Sequence, residues 1–211
     1  MYHSNIIYHV YNQSNNFELL FRNDENYQYF LRKVRRHLCP YADIFCYCLM
    51  PDHFHILLKP KEIGCAESRS SRYFRHDENG KGPVYQQNLS NAFKTLLSSY
   101  CQAVNKRSGR RGSLFKAKTK AKPGYCDFYP DSHSLEGDEP YTLFIPYLKT
   151  CFNYIHDNPA KAKLVDFPEE WPYSSALDYL GHRDTGICNF ALSKKLLGIE
   201  RCKSNQGPSN G

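Results

Sequence analysis

The stretch "CLMPDHFHILLKP", Cys48–Pro60, decides the fold of this 211-residue chain. Pro51-Asp52 is a turn signal. The run after it, "HFHILLKP", reads as a strand, and the run before it, "ADIFCYCLM", reads as its hairpin partner. Side chains alternate across a strand, so His53, His55, Leu57 and Lys59 share one face. Phe54, Ile56 and Leu58 take the other, the natural side for packing against helices. Both imidazoles are thereby expected on an open face of the sheet, at the start of the strand.

Outward from the hairpin, "NIIYHVYNQ", Asn5–Gln13, is β-branched and aromatic and predicts another strand. "NDENYQYFLRKVRRHL" predicts a helix. Asn23 or Asp24 can cap it, acids sit in its first turn, and Arg35, Arg36 and His37 sit in its last. Tyr27, Phe30, Leu31 and Val34 recur at steps of three and four, and Pro40 stops it. "NLSNAFKTLLSSYCQAVNKR" predicts a second amphipathic helix, with Phe93, Leu96, Leu97, Tyr100 and Val104 on one side. "SLFKAKTKAK" resembles one more strand. The order β-α-β-β-α-β implies an α+β, ferredoxin-like split-βαβ sheet, antiparallel, with both helices on one face.

A third helix is expected from about Pro140 through "YTLFIPYLKTCFNYIHD", kinked at Pro146. Residues 1–181 form one domain on this reading, with surface insertions near 61–87 and 123–139. Residues 182–211 form a C-terminal extension whose tail beyond Arg201 is expected to be disordered. There are no internal repeats.

Composition bounds the function. With 41% hydrophobic residues the chain can bury a real core, and no apolar run approaches the ~20 residues of a membrane span. "MYHSNIIYHV" lacks the features of a secretory signal, so a soluble, cytoplasmic protein is expected. Nine scattered cysteines without a CxxC pair suit free, mostly buried thiols. Cys46 and Cys48, two apart on a strand, suit core packing on one face.

The net charge is +7, and Asn105–Lys122 alone carries eight cations and no acid: Lys106, Arg107, Arg110, Arg111, Lys116, Lys118, Lys120 and Lys122. A run so pure in sign favours a polyanion over a merely solvated face. Lys116, Lys118, Lys120 and Lys122 alternate with small residues, so a strand would send all four to one side. They could track phosphates or guard an edge strand. Tyr8, Tyr11 and Phe115 could stack on unpaired bases or belong to the core.

Two imidazoles at adjacent same-face positions can share a divalent ion, though ordinary surface histidines fit the pattern as well. In "NYIHDNP", Tyr154 and Asn158 stand four apart, on one helical face. An Asn oxygen can complete a hard site for Mg²⁺ or Mn²⁺, and a tyrosine beside it can attack a phosphodiester. The alternatives are equally open. One tyrosine of 17 is usually a packing residue. Asn158 before Pro159 can instead cap a new helix, "PAKAKLV".

"YHVYNQ", "CLMPDHFHILLKP", "GSLFKAK" and "YIHDNPAKAKLV…WPYSS" resemble the single-tyrosine HUH transposases, in particular their REP-associated tyrosine transposase branch. The likeness runs from about Ile6 to Gly181. It implies a ferredoxin-like nuclease that nicks and rejoins single-stranded DNA near hairpins through a 5′-phosphotyrosine link. His53 and His55 match the family's metal pair, Asn158 its third ligand and Tyr154 its nucleophile. His156 points elsewhere on the helix. The implied partners are a divalent metal, Mg²⁺ or Mn²⁺, and single-stranded or hairpin DNA in a bacterial cytoplasm, bound at the nucleoid. Dimeric and monomeric relatives leave a homodimer open. A replication initiator or relaxase, or a domesticated non-cutting DNA-binding protein, are the alternatives. The chain departs from the family at Gln13, where an arginine is usual, and at "KAKTKAK", where Gln-Gly-Arg and an aromatic are usual.

Overall fold

The computed structural model describes residues 1–77, 80–124 and 140–203. Its central sheet is built from β1 (Tyr8–Gln13), β2 (Ala42–Leu49), β3 (His53–Pro60) and β6 (Lys120–Pro123), in the order β2-β3-β1-β6. Every neighbouring pair is antiparallel, which is the split-βαβ, ferredoxin-like arrangement. Helices α1 (Asp24–His37) and α3 (Asn88–Ser108) pack on one face. The Asn23 side chain caps α1 by accepting from the Asn26 amide at 3.0 Å.

That face follows the alternation. Phe54, Ile56 and Leu58 of β3 and Tyr8 and Val10 of β1 join Phe30, Leu31 and Val34 of α1 and Phe93, Leu96 and Tyr100 of α3 in one core. Tyr8 and Phe115 are core residues, 3% and 5% exposed, which removes them as bases' stacking partners. Between β3 and α3 the chain forms a short helix, α2 (Glu62–Cys65), and a separate hairpin of β4 (Glu67–Asp77) and β5 (Gly80–Gln87). The surface excursion expected near 61–87 is therefore a two-stranded ribbon.

The opposite face is not open. Leu57, Cys46, Cys48 and Ile7 make it apolar, and a bulge at β2 between Ile44 and Cys46 adds Phe45 to it. Such a surface needs cover, and α4 (Pro140–Lys161) supplies it. Leu148, Cys151, Phe152, Ile155, His156 and Pro159 are its buried stripe, at steps of three and four. After a 3₁₀ turn (Pro168–Glu170) and the single turn α5 (Ala176–Tyr179), α6 (Phe190–Leu197) closes the β2 side of the same layer. Residues 182–203 are thus docked as far as they are described, with Asn189 donating to the Ile44 carbonyl at 2.8 Å. Lys120 and Lys122 of β6 are exposed.

Helix α4 runs unbroken through Pro146 and Pro159. Asn158 therefore caps no new helix. The helix ends one turn later, with Leu164 N–H on the Pro159 carbonyl, Lys163 N–H on the Ala160 carbonyl, and Lys163 left-handed at φ 57°. The acidic loop after Gly124 and the tail from 204 onward lie outside the described residues. All eight described cysteines are free, with Cys46 and Cys48 buried together under α4. No helix among the described residues is long and apolar enough to cross a membrane.

Candidate nuclease site

Antiparallel register builds the floor of the site in three cross-strand rows. His53 stands opposite Gln13; His55 stands opposite Tyr11, which stands opposite Lys120; Leu57 stands opposite His9, which stands opposite Lys122. Directly opposed residues share a face. The two sequence-predicted histidines, two of the four comb lysines and the unusual Gln13 therefore belong to one surface.

The comb is split. Lys116 and Lys118 precede β6: Lys116 N–H bonds the Gln13 carbonyl at 2.9 Å, and the Asn12 amide donates to the Lys116 carbonyl at 3.1 Å and the Thr119 hydroxyl at 3.0 Å. Four lysines on one strand face is the expectation this corrects. Of the other cations, Arg110 is committed to Glu18 and to the Gly112 and Ser113 carbonyls, and Arg107 pairs with Glu25. Lys106 and Arg111 are exposed.

Helix α4 carries Tyr154 over the histidines. Its ring meets His55 edge-on at 5.8 Å between centroids and His9 at 6.3 Å. The residue is 43% exposed, and its hydroxyl has no hydrogen-bond partner among the described residues. Lys161, two turns on, places its Nζ 5.2 Å from the tyrosine ring centroid while pairing with Asp157 at 3.4 Å. His156 lies on the buried side and bonds Ser175 Oγ at 2.7 Å, as its offset from Tyr154 implied.

Each histidine of the pair has one ring nitrogen occupied. His53 Nδ1 lies 2.6 Å from Asp52 Oδ1, and His55 Nδ1 lies 2.8 Å from His9 Nε2. The Nε2 atoms of both are left without a partner among the described residues. The rings stand 5.0 Å apart and nearly perpendicular. Burial, reinforced by His9 and His53, pushes the His55 pKa down to about 3, so the ring stays neutral, the form that ligates metals.

Asn158 sits on the same side of α4 as Tyr154, one turn away, and its Nδ2 donates to the Tyr154 carbonyl at 2.8 Å. Its Oδ1 has no partner among the described residues. Among those residues no three His, Cys, Asp or Glu side chains are arranged to hold a metal. Two imidazoles with bare Nε2 atoms and one amide oxygen are donor types that fit a six-coordinate ion completed by further oxygens.

His9, Asp52 and Lys161 are absent from the site read off the sequence, and Tyr11 figures there only as a candidate for base stacking. His9 was legible in principle. Alternation along β1 puts His9, Tyr11 and Gln13 on one side, and pairing with β3 places that side beside the histidines. The half-buried Tyr11, with Lys120 Nζ 5.8 Å from its ring centroid, is the aromatic that remains available for stacking.

No family model matches this sequence, and no curated protein matches it. A solved structure of a REP-associated tyrosine transposase bound to a REP hairpin aligns with a TM-score of 0.53 at 12% identity, covering 90% of this chain and 86% of that chain. The likeness is one of fold, and it is the fold that the sequence resemblance implied.

Proposed function

We propose that this chain is a REP-associated type of single-tyrosine HUH transposase, a metal-dependent enzyme that cuts and rejoins single-stranded DNA near hairpins. The observation that carries this reading is the meeting of Tyr154 with His55, whose ring stands 5.0 Å from that of His53. An exposed tyrosine on α4 lies edge-on to a neutral imidazole whose outward nitrogen is bare. Neither packing nor capping requires that convergence.

His53 and His55 through Nε2, with Asn158 through Oδ1, would hold Mg²⁺ or Mn²⁺, which supplies Lewis-acid polarisation of the scissile phosphate. Asp52 accepts from His53 Nδ1 and keeps that ring in the ligating tautomer. Tyr154 Oη attacks phosphorus; the new O–P bond replaces the P–O3′ bond. The phenolic proton passes to solvent, and the departing O3′ takes a proton to become a free hydroxyl. The 5′ side stays esterified to Tyr154. Lys161 places positive charge over the face of the tyrosine ring, 5.2 Å from its centroid. Reversal by a 3′-hydroxyl rejoins the strand without a nucleotide cofactor, because the ester conserves the bond. Lys120 and Lys122 lie beside the site to receive flanking phosphates, with Lys106, Arg111, Lys116 and Lys118 extending the basic surface, and Tyr11 offers a stacking platform.

The test uses 5′- and 3′-labelled single-stranded oligonucleotides from palindromic repeats beside the chain's own gene, with Mn²⁺, on denaturing gels. A labelled adduct in wild type that is absent in Tyr154→Phe and His53→Ala is expected. DNA binding without an adduct over a broad oligonucleotide panel would move the reading to a non-cutting DNA-binding protein.

A further inference from the structure

We propose that His9 is a positioning residue for the metal site: by accepting the Nδ1 proton of His55 it holds that ring in the one neutral tautomer whose Nε2 can ligate. The inference rests on the reading of His53 and His55 as a metal pair.

A neutral imidazole has one N–H and one lone pair. His55 Nδ1 and His9 Nε2 are 2.8 Å apart, so one proton lies between them. If it sits on His55, then His55 Nε2 is bare and can bind a metal. If it sits on His9, then His55 Nδ1 accepts, its own proton moves to Nε2, and ligation is blocked. Orientation follows the same bond, since the His9 ring lies 4.9 Å from the His55 ring and against Tyr11 at 5.1 Å.

The two ligands are held differently. His53 is oriented by a carboxylate, Asp52, whose only role toward a ring N–H is to accept. His55 is oriented by an imidazole, which can accept or donate. The adaptability is a consequence of burial: His55 is 7% exposed, whereas the His53 side chain is 28% exposed and its Asp52 partner 44%. An acid in the deeper position would carry a desolvation cost that a neutral ring avoids. His9 reaches that depth because it is one row along β1, opposite Leu57 rather than opposite His55 itself. His9 Nε2 is spent on this bond and is not a third ligand.

The test measures Mn²⁺ binding to the full chain by calorimetry and by loss of the free-ion EPR signal, without DNA. His9→Phe fills the same space with no acceptor. His9→Gln returns an acceptor oxygen. Affinity should fall about 10- to 100-fold in His9→Phe and recover most of that in His9→Gln, with thermal midpoints showing that all variants are folded. Equal binding by wild type and His9→Phe overturns the inference and leaves the metal pair standing. Equal loss in both variants also overturns it, in favour of direct ligation by His9. If wild type binds no Mn²⁺ and His53→Ala changes nothing, the metal reading itself falls and this inference with it.

Discussion

The side-chain amide of Asn158 donates to the backbone carbonyl of Tyr154, 2.8 Å away across a single turn of α4. The bond occupies the amide nitrogen and leaves the oxygen without a partner among the described residues. Removing that oxygen should weaken Mn²⁺ binding at least about tenfold in Asn158→Leu, whereas Asn158→Asp should retain it. Calorimetry on both variants settles the point; a Leu variant that binds like wild type removes Asn158 from the ligand set.

Tyr154→Phe should abolish the DNA adduct and do little else. Its hydroxyl has no partner among the described residues and the residue is 43% exposed, so stability should stay within about 0.5 kcal/mol. DNA affinity by anisotropy should also be unchanged. A variant that still forms a covalent product would place the nucleophile elsewhere.

His156 makes stability depend on pH. Burial against Phe152 and Tyr179 pulls its pKa down to about 4 from the ordinary 6.5. Between those values the unfolded chain binds the extra proton and the folded one does not. The contribution is therefore complete above pH 6.5 and lost as pH falls toward 4, on the order of 3 kcal/mol. The thermal midpoint should drop over that interval, and His156→Gln should flatten the drop. The buried His55 acts in the same direction and contributes to the slope that remains.

Lys163 occupies the left-handed position that closes α4, at φ 57°, where glycine is favoured. Lys163→Gly should raise stability by about 0.5–1 kcal/mol, roughly 2 °C in the thermal midpoint. A lower midpoint would mean that the lysine side chain contributes something the strained backbone conceals.

Lys120→Ala and Lys122→Ala should each lower the salt dependence of single-strand binding by about 0.7 in the log–log slope. Arg110→Ala should instead destabilise the protein, because its guanidinium ties Glu18 to the 112–113 carbonyls. If Arg110→Ala changes the slope as the lysines do and leaves the fold intact, that division of labour is wrong.

Much of this was legible before any coordinates. The alternation of "HFHILLKP" placed Phe54, Ile56 and Leu58 inward and both histidines together on the other side, and the helix stripes located α1 and α3. The cover of the histidine face was not legible, because periodicity reports which side of a strand is apolar without reporting what arrives to bury it. The apolar Leu57, Cys46 and Cys48 on that face were the available warning. His9 is hard to read from the sequence for a related reason. Its meaning depends on the pairing of β1 with β3, and register is a long-range property that no single strand encodes. The lysine comb is not one strand: β6 takes in only Lys120–Pro123, and the Asn12 side chain occupies the Lys116 carbonyl and the Thr119 hydroxyl.

The anchoring of α4 bears on which component travels during strand exchange. His156 ties the helix through Ser175 Oγ, which in turn contacts both the amide and the carbonyl of Tyr47 in β2. Any swing of the tyrosine helix would have to break this chain of bonds. A severed 5′ end esterified to Tyr154 would stay where it was cut, and the incoming 3′ end would have to be delivered to it. On the proposed chemistry, choreography belongs to the nucleic acid: the folding and refolding of the hairpin, and not a stroke of the protein, would decide which ends are joined.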